Sequence, residues 1–413
     1  MKQNQELEVV VIGGGAAGFF AAIACADANP HAKVTILEAG SKTLSKVRIS
    51  GGGRCNVTHH CFEPARLVQN YPRGGKALRG AFSRFQPLDT VKWFQAHGVK
   101  LKTEADGRMF PITNNSETII DCLDTAAAKA GITIHTNSAV KTIKTNSTKQ
   151  FQIELKGGKV IKCDRVLVAT GSNPLGYRWA KQLGHTIETP VPSLFTFRIN
   201  DPRLKDLAGI SVENARATLI YSGKKALEQT GALLITHWGL SAPAVLKLSA
   251  WGARILSENK YSLFLKINWL AHYNQEDLKE YLLKTKKEAA KKKIINYCPV
   301  EIPKRLWQSL VSYIGINSEK MWADINKKEL NKLVSEVNQG QYQIQGKGVF
   351  KDEFVTCGGV ILKEVNFKTM ESKICPNLYF AGEVLDIDGI TGGFNFQSAW
   401  TTGWLAGNAM SNT

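Results

Sequence analysis

Acidic residues are few in this chain of 413: 35 Asp and Glu stand against 53 Lys and Arg, a formal charge of +18. An excess of that size attracts polyanions, so nucleic acid or an anionic membrane surface becomes a candidate partner. The plainer alternative is a Lys-rich proteome with no anionic ligand. There is no CxxC pair among the eight cysteines and no metal-type spacing, which argues against a dithiol reductase or a zinc site. Such cysteines read as buried free thiols of a reducing, cytoplasmic compartment. No internal repeat or low-complexity segment is visible. The one long uncharged run, Val9 to Ala26, is broken by Gly13, Gly14, Gly15 and Gly18 and preceded by Glu6 and Glu8. It reads as buried strand, turn and helix, and neither as a membrane span nor as a leader.

What is present suits a folded protein of two or three domains, with 43% hydrophobic and 21% charged residues. Leu7 to Ile12 is a β-branched run, followed by Gly13-x-Gly15-x-x-Gly18, an Ala-rich stretch to Ala28, and a second β-branched run from Lys33 to Leu37 that ends at Glu38. This is the opening of a doubly wound parallel sheet. Gly13 permits the tight turn, Gly15 lets backbone approach a pyrophosphate, and Gly18 allows close helix-to-strand packing. The helix N-terminus stabilises phosphate, and Glu38 can bind both ribose hydroxyls.

Further elements follow in order: helices over Thr90 to His97 and Ser116 to Ala130, short strands within Val99 to Phe110, a hairpin from Ala139 to Leu155 turning near Asn146, and a buried strand from Arg165 to Ala169. The segment from Ser41 to Phe110 reads as glycine- and Arg-rich loop at first, and carries 13 basic and 4 acidic residues. After Pro190 to Pro192 the composition changes. Strands over Ala215 to Tyr221 and Tyr261 to Ile267 precede a helix capped by Asn274, with Asp277 at its third position. That helix runs through Leu278, Leu282 and Leu283 toward Lys291, Lys292 and Lys293, which suit its dipole. Parallel-sheet vocabulary returns with strands at Glu353 to Val355 and Leu378 to Ala381, and a helix from Gln397 to Ala406. The expected architecture is α/β: residues 1–191 and 348–413 form a two-segment, doubly wound nucleotide-binding Rossmann-type domain. Residues 192–347 form an inserted β-rich substrate domain with a helical part at about 268–335.

Chemistry concentrates in three later places. Gly382-Glu383 follows a buried strand, where a carboxylate can meet the ribityl or pyrophosphate region of an extended flavin cofactor. Thr391-Gly392-Gly393-Phe394-Asn395 offers bare backbone amides to a ring edge before a helix. These late features favour FAD over NAD. In Lys46-x-x-x-Ser50-Gly51-Gly52-Gly53-Arg54-Cys55-Asn56 the three glycines let the chain lie flat against a planar ligand. Cys55 is either a proton donor tuned toward neutrality by Arg54 or a small packed residue. His237, in Thr236-His237-Trp238-Gly239, is an acid–base candidate or, by preference, a hydrogen-bonded core histidine beside a packing tryptophan. No metal site is expected.

In these stretches the chain resembles the BaiN/RdsA family of flavoproteins, which includes aminoacetone-oxidase-type, bile-acid-reductase-type and ribosomal dihydrouridine-synthase proteins. The resemblance runs nearly the whole length, through VVVIGGGAAG, KVRISGGGRCNVT, DGRMFP, LLITHWGLSAPA, VTCGGV and YFAGEVLDIDGITGGFNFQSAWTTGWLAG. It implies noncovalent FAD held by Gly13, Gly15, Ala16, Ala17, Gly18, Glu38, Ala39, Lys46, Ser50, Gly51, Gly52, Arg54, Cys55, Asn56, Ala169, Thr170, Gly171, Gly382, Glu383, Asp388, Gly392, Gly393, Phe394 and Asn395. One departure is Ala242, where the family's block usually continues with glycine. Three readings of function stay open: reduction of a uridine in ribosomal RNA, or its precursor, to dihydrouridine; oxidation or reduction of a small amine or enone; and a flavin-bearing binding protein without turnover. With one glycine fingerprint rather than two, any NAD(P)H would bind transiently at the flavin.

Overall fold

A computed structural model describes residues 6–146, 149–221, 226–348 and 355–412. The chain forms two compact units, one comprising the part up to Val191 together with the part from Val355 onward, the other the part that begins at Pro192. Gly348 N donates to Thr196 O at 2.8 Å, so the second unit reaches past Lys347.

The first unit is organised by a seven-stranded sheet in the order Val365–Asn366, Glu371–Ser372, Leu378–Phe380, Arg165–Val168, Glu8–Ile12, Lys33–Leu37, Thr133–His135. The last five are mutually parallel; the first two are antiparallel additions at one edge. Sequences such as EVVVI and RVLV carry no polar alternation, as expected of strands covered on both faces. Helix Ala16–Ala28 packs against helix Phe394–Met410 at a spacing only small residues allow. A Cβ on Gly403 would stand 2.6 Å from Ala17 O, and one on Gly407 2.2 Å from Ala21 O. The Ala-rich first helix and the two glycines one turn apart in the last are thus two halves of one interface.

The expected helices are present as Pro87–Ala96, with a Gln86–Asp89 capping box, and Glu117–Lys129. The hairpin pairs Val140–Thr145 with Phe151–Leu155, and part of its turn lies outside the described residues. Three boundaries differ from expectation. Ser45–Gly53 is not all loop; it is helical to Ile49 and breaks at Ser50 (φ −65, ψ 149). The final helix begins at Phe394, since Gly393 takes φ 89 and leaves Phe394 as the first helical residue. Strand Val355–Val360 is present, whereas Glu353 and Phe354 lie outside the described residues.

The second unit holds a six-stranded antiparallel sheet in the order Phe197–Arg198, Gly239–Ser241, Leu227–Thr236, Ser211–Ile220, Phe264–Asn268, Gly340–Gln343. Helices Gln275–Glu288, Lys304–Tyr313 and Lys327–Gln339 share a core with it that includes Trp269, Trp307 and Trp322. Asn274 caps its helix as expected, accepting from Glu276 N and Asp277 N. That helix stops at Glu288, so Lys291 to Lys293 lie beyond it, and Leu283 is exposed rather than on the buried face of Leu278 and Leu282.

Candidate functional site

The glycine fingerprint connects Glu8–Ile12 to helix Ala16–Ala28, and its three glycines have three different reasons. Gly13 has φ 113, and a Cβ there would stand 2.4 Å from Ala169 O. Gly18 closes on the turn itself, its Cβ 2.0 Å from Gly13 O. A Cβ on Gly15 would meet nothing of the protein within 4 Å. Only the first two are required by packing, so the bareness of Gly15 at a helix N-terminus is room for something else, as a pyrophosphate needs. Glu38 is braced onto the same loop: one carboxylate oxygen accepts from Gly14 N at 2.9 Å and the other from Gly40 N at 2.7 Å. A second lone pair on each oxygen is left for ribose hydroxyls. Ala39 beside it is exposed, while Ala16 and Ala17 form the first helical turn.

Gly382 brings the late segment to this helix. It has φ 73, and a Cβ on it would stand 2.9 Å from that of Ala17. Glu383 accepts from Lys46 Nζ at 2.6 Å and from Thr356 N at 2.9 Å, and Lys46 also reaches Ser172 Oγ at 3.3 Å. Thr170 Oγ1 is buried without a hydrogen-bond partner among the described residues, between Ala169 and Gly171, which lies against Glu383. Lys46, Ala169 to Ser172 and Glu383 therefore converge from three distant segments, at the carboxyl ends of the central strands where a doubly wound sheet binds ligands.

A second convergence joins the Ser50–Asn56 segment to the Gly392–Asn395 loop. Gly51, Gly52 and Gly53 have φ of 57, 68 and 81, and Cβ atoms on Gly52 and Gly53 would meet nothing within 4 Å. Asn56 spans the two segments, its amide oxygen accepting from Gly393 N at 2.9 Å and its nitrogen donating to Thr58 O at 3.0 Å. A Cβ on Gly393 would be 2.6 Å from Thr58 O, so glycine is required there. Residues that sequence reasoning passed over hold the loop from behind. Tyr71 donates to Phe394 O at 2.6 Å, the His59 ring stacks on Phe394 at 4.7 Å, and Asn395 exchanges hydrogen bonds with Gly389. The signal for Tyr71 and Arg73 is the glycine-marked Tyr71-Pro72-Arg73-Gly74-Gly75, which the basic character of the region obscures.

Two side chains, Asp388 and His237, stand otherwise than expected, and at Cys55 burial supports the packed reading over the proton donor. Cys55 is fully buried, and burial pushes its thiol up to about 12 despite a hydrogen bond with Ser50. Arg54 does not bring it toward neutrality, being engaged by Glu104 at 2.7 Å and lying over the Phe110 ring at 4.0 Å. Asp388 is also fully buried, its carboxylate paired with Arg73, with Arg73 Nε donating at 2.5 Å. That carboxylate fastens the loop and has no open face for a cofactor. His237 belongs to the second unit, in the turn between Leu227–Thr236 and Gly239–Ser241, and is exposed rather than in the core.

Over residues 7–409 the chain matches the family described as HI0933-like protein Rossmann domain. It belongs to that family. A ribosomal RNA dihydrouridine synthase of Haemophilus influenzae is 30% identical to it over 421 residues, covering 99% of each chain. The protein of the same name from Escherichia coli is 29% identical, covering 97% of each. A 3-dehydro-bile acid delta(4,6)-reductase of Clostridium scindens is 28% identical, covering 97% of this chain and 98% of its own. Among solved structures, the 3-ketosteroid-delta4-(5alpha)-dehydrogenase of Rhodococcus jostii RHA1 superposes with a TM-score of 0.51 at 14% identity, covering 100% of this chain and 99% of its own, a likeness of fold. The HI0933-like chain is accordingly an FAD-dependent oxidoreductase. Its bare Gly15 and braced Glu38 fit an extended dinucleotide; the Thr170 hydroxyl packs toward Gly176 instead, and of the glycines at 51–53 and 392–393, which turn through left-handed backbone rather than lie flat, only Gly52 and Gly53 are bare.

Proposed function

We propose that this protein reduces a uridine in ribosomal RNA, or its precursor, to dihydrouridine. The observation that carries the reading is the pair of dihydrouridine synthase relatives matched from end to end, joined to a charge of +18 suited to a polyanionic substrate. Reduced FAD, when bound, supplies hydride to C6 of the base, and a proton must reach C5. The protein's part is to bind and orient. Gly15 and the first turn of Ala16–Ala28 receive the pyrophosphate, Glu38 the adenosine ribose, and Lys46 with Glu383 the middle of the cofactor. Gly52 and Gly53 leave their backbone bare beside the ring, and Gly392 and Gly393 let the second loop close against Phe394 and Thr58. The Cys55 thiol keeps its proton across the neutral range. A base unstacked from the RNA enters at the ring, with most affinity coming from phosphate contacts outside it. A nicotinamide reductant, if used, would bind transiently at the flavin, and the setting we propose is cytoplasmic.

A second reading, reduction or oxidation of a small enone or amine, is favoured by the bile-acid reductase relative. Nucleoside mass spectrometry of ribosomal RNA from a deletion strain separates the two. Loss of one dihydrouridine, restored by the gene, is expected. Unaltered dihydrouridine together with efficient turnover of a free enone would overturn the RNA reading.

A further inference from the structure

The helical part of the second unit carries positive charge that its own folding does not call for. Between Lys284 and Lys293 there are six lysines and one acid, Glu288. Three contacts bring this stretch against the start of helix Lys327–Gln339. Lys286 Nζ donates to Ile325 O at 2.7 Å, Trp322 N to Lys292 O at 2.9 Å, and Ala323 N to Ala290 O at 3.1 Å. Lysines from three segments thus share one surface.

Of the nearby acids three are already engaged and one, the exposed Asp324, has no ion pair among the described residues, which leaves the surface strongly positive. Glu288 faces Lys284, Glu319 pairs with Lys293, and Glu329 is held by Lys320 at 2.6 Å and by the capping box of Asn326. Lys287, Lys291, Lys292, Lys327 and Lys328 are exposed and have no acidic partner among the described residues. Lysines at the end of Gln275–Glu288 are explained by its dipole. Lys327 and Lys328 are not: they occupy the first two positions of their helix, where the dipole favours acids and opposes cations. Like charges gathered at an electrostatically unfavourable helix end indicate a counter-charge supplied from outside.

We propose that this surface, formed by the end of Gln275–Glu288, residues 289–293 and the first turn of Lys327–Gln339, docks the phosphate backbone of folded RNA. It rests on the RNA reading above and adds the place where the RNA is held outside the pocket. Lysines suit this task as mobile point charges that read backbone and not sequence.

The test compares the full-length holoenzyme with its K287A/K291A/K327A/K328A variant for binding to transcribed ribosomal RNA across a salt series. All four positions are exposed, and FAD content and melting temperature serve as controls for folding. The variant is expected to keep its FAD and lose roughly 10²-fold or more in affinity, with the log–log salt slope flatter by about 3. Wild-type binding matched by the variant in affinity and slope would overturn the docking surface and leave the RNA reading standing. No RNA binding by the wild type would overturn both. Phosphatidylglycerol vesicles are a further arm: if the variant loses vesicle binding while RNA binding is unchanged, the surface belongs to a membrane and the proposal is wrong.

Discussion

At Gly15 and Gly18 the same substitution has opposite meanings. A Cβ at Gly15 meets no protein atom within 4 Å, so Gly15→Val should fold with a near-native melting temperature and yet purify colourless. Gly18→Val drives its Cβ into Gly13 O and should unfold the first unit, lowering soluble yield. Absorbance near 450 nm and thermal melting, read together, distinguish a ligand glycine from a packing glycine; a destabilised Gly15→Val would contradict the assignment. Cys55 is testable in the same spirit. With its thiol held up to about 12 by burial, it should resist iodoacetamide at pH 8 in the folded protein and react only after denaturation. Cys55→Ala should retain FAD; a fall in turnover of about 10²-fold would identify the thiol as proton donor, and unchanged turnover would make it a packed residue. Ala242 departs from the family's glycine and takes φ 79 and ψ 174, a region where a Cβ costs roughly 1–3 kcal/mol. Ala242→Gly recovers that strain against a gain in unfolded-state entropy worth about 0.4–1 kcal/mol, so a net rise in the denaturation midpoint is expected.

Among the elements, the loop before the last helix is held by partners more than 300 residues away. Arg73 pairs with the buried Asp388, Asn70 O accepts from Ile390 N at 2.9 Å, and Tyr71 holds Phe394 O. Removing one member of a buried pair leaves an uncompensated charge, a loss of about 3–5 kcal/mol. Asp388→Ala should therefore lower both the melting temperature and FAD retention, and R73M/D388L should be less harmful than either single change. Equal damage from the double variant would show that the loop depends on the charges themselves. How legible this element is from sequence varies along its length. Gly392 to Asn395 announce themselves because glycine pairs before a helix have few other uses, and the parallel strands because apolar runs of that length do. Arg73 and Tyr71 are harder to see: the glycines of Tyr71-Pro72-Arg73-Gly74-Gly75 mark a turn, but nothing local shows that its side chains find partners more than 300 residues away. Asp388 is misjudged for a related reason, and of the two readings of Cys55 its burial favours packing: residue type is legible, but burial and pairing decide whether a carboxylate is open or a thiol acidic. At Lys291–Lys293 the run of charge resembles a helix end, though Glu288 already ends the helix.

For the whole molecule, acid should be more damaging than mild base. His185 is buried, its Nδ1 3.3 Å from a Glu364 oxygen and its Nε2 2.8 Å from Ser372 Oγ. Ser372 Oγ already accepts from Ile374 N and Cys375 N, so its own proton goes to Nε2, which must be unprotonated. Burial accordingly holds the imidazole below its ordinary 6.5, the opposing pull of Glu364 notwithstanding. The unfolded chain takes up this proton first, so the associated stability is complete above about pH 6.5 and is lost as pH falls toward the folded value. The urea midpoint should drop between pH 7.5 and 5.5, and His185→Gln should flatten that dependence. An unchanged slope in the variant would assign the acid sensitivity elsewhere.

The order in which the first unit's parts occur along the chain bears on its biosynthesis. The glycine fingerprint and Glu38 are made early, whereas Glu383 and the Gly392–Asn395 loop follow only after the whole second unit has been translated. During elongation the nascent chain thus presents half a cofactor cleft, with the Ala-rich helix Ala16–Ala28 still lacking the glycine-bearing face of Phe394–Met410 that covers it. The second unit, continuous in sequence and with its own core, can fold in that interval. Capture of FAD is then a late event that seals the first unit, and a chain interrupted after the second unit would carry the fingerprint but retain no flavin.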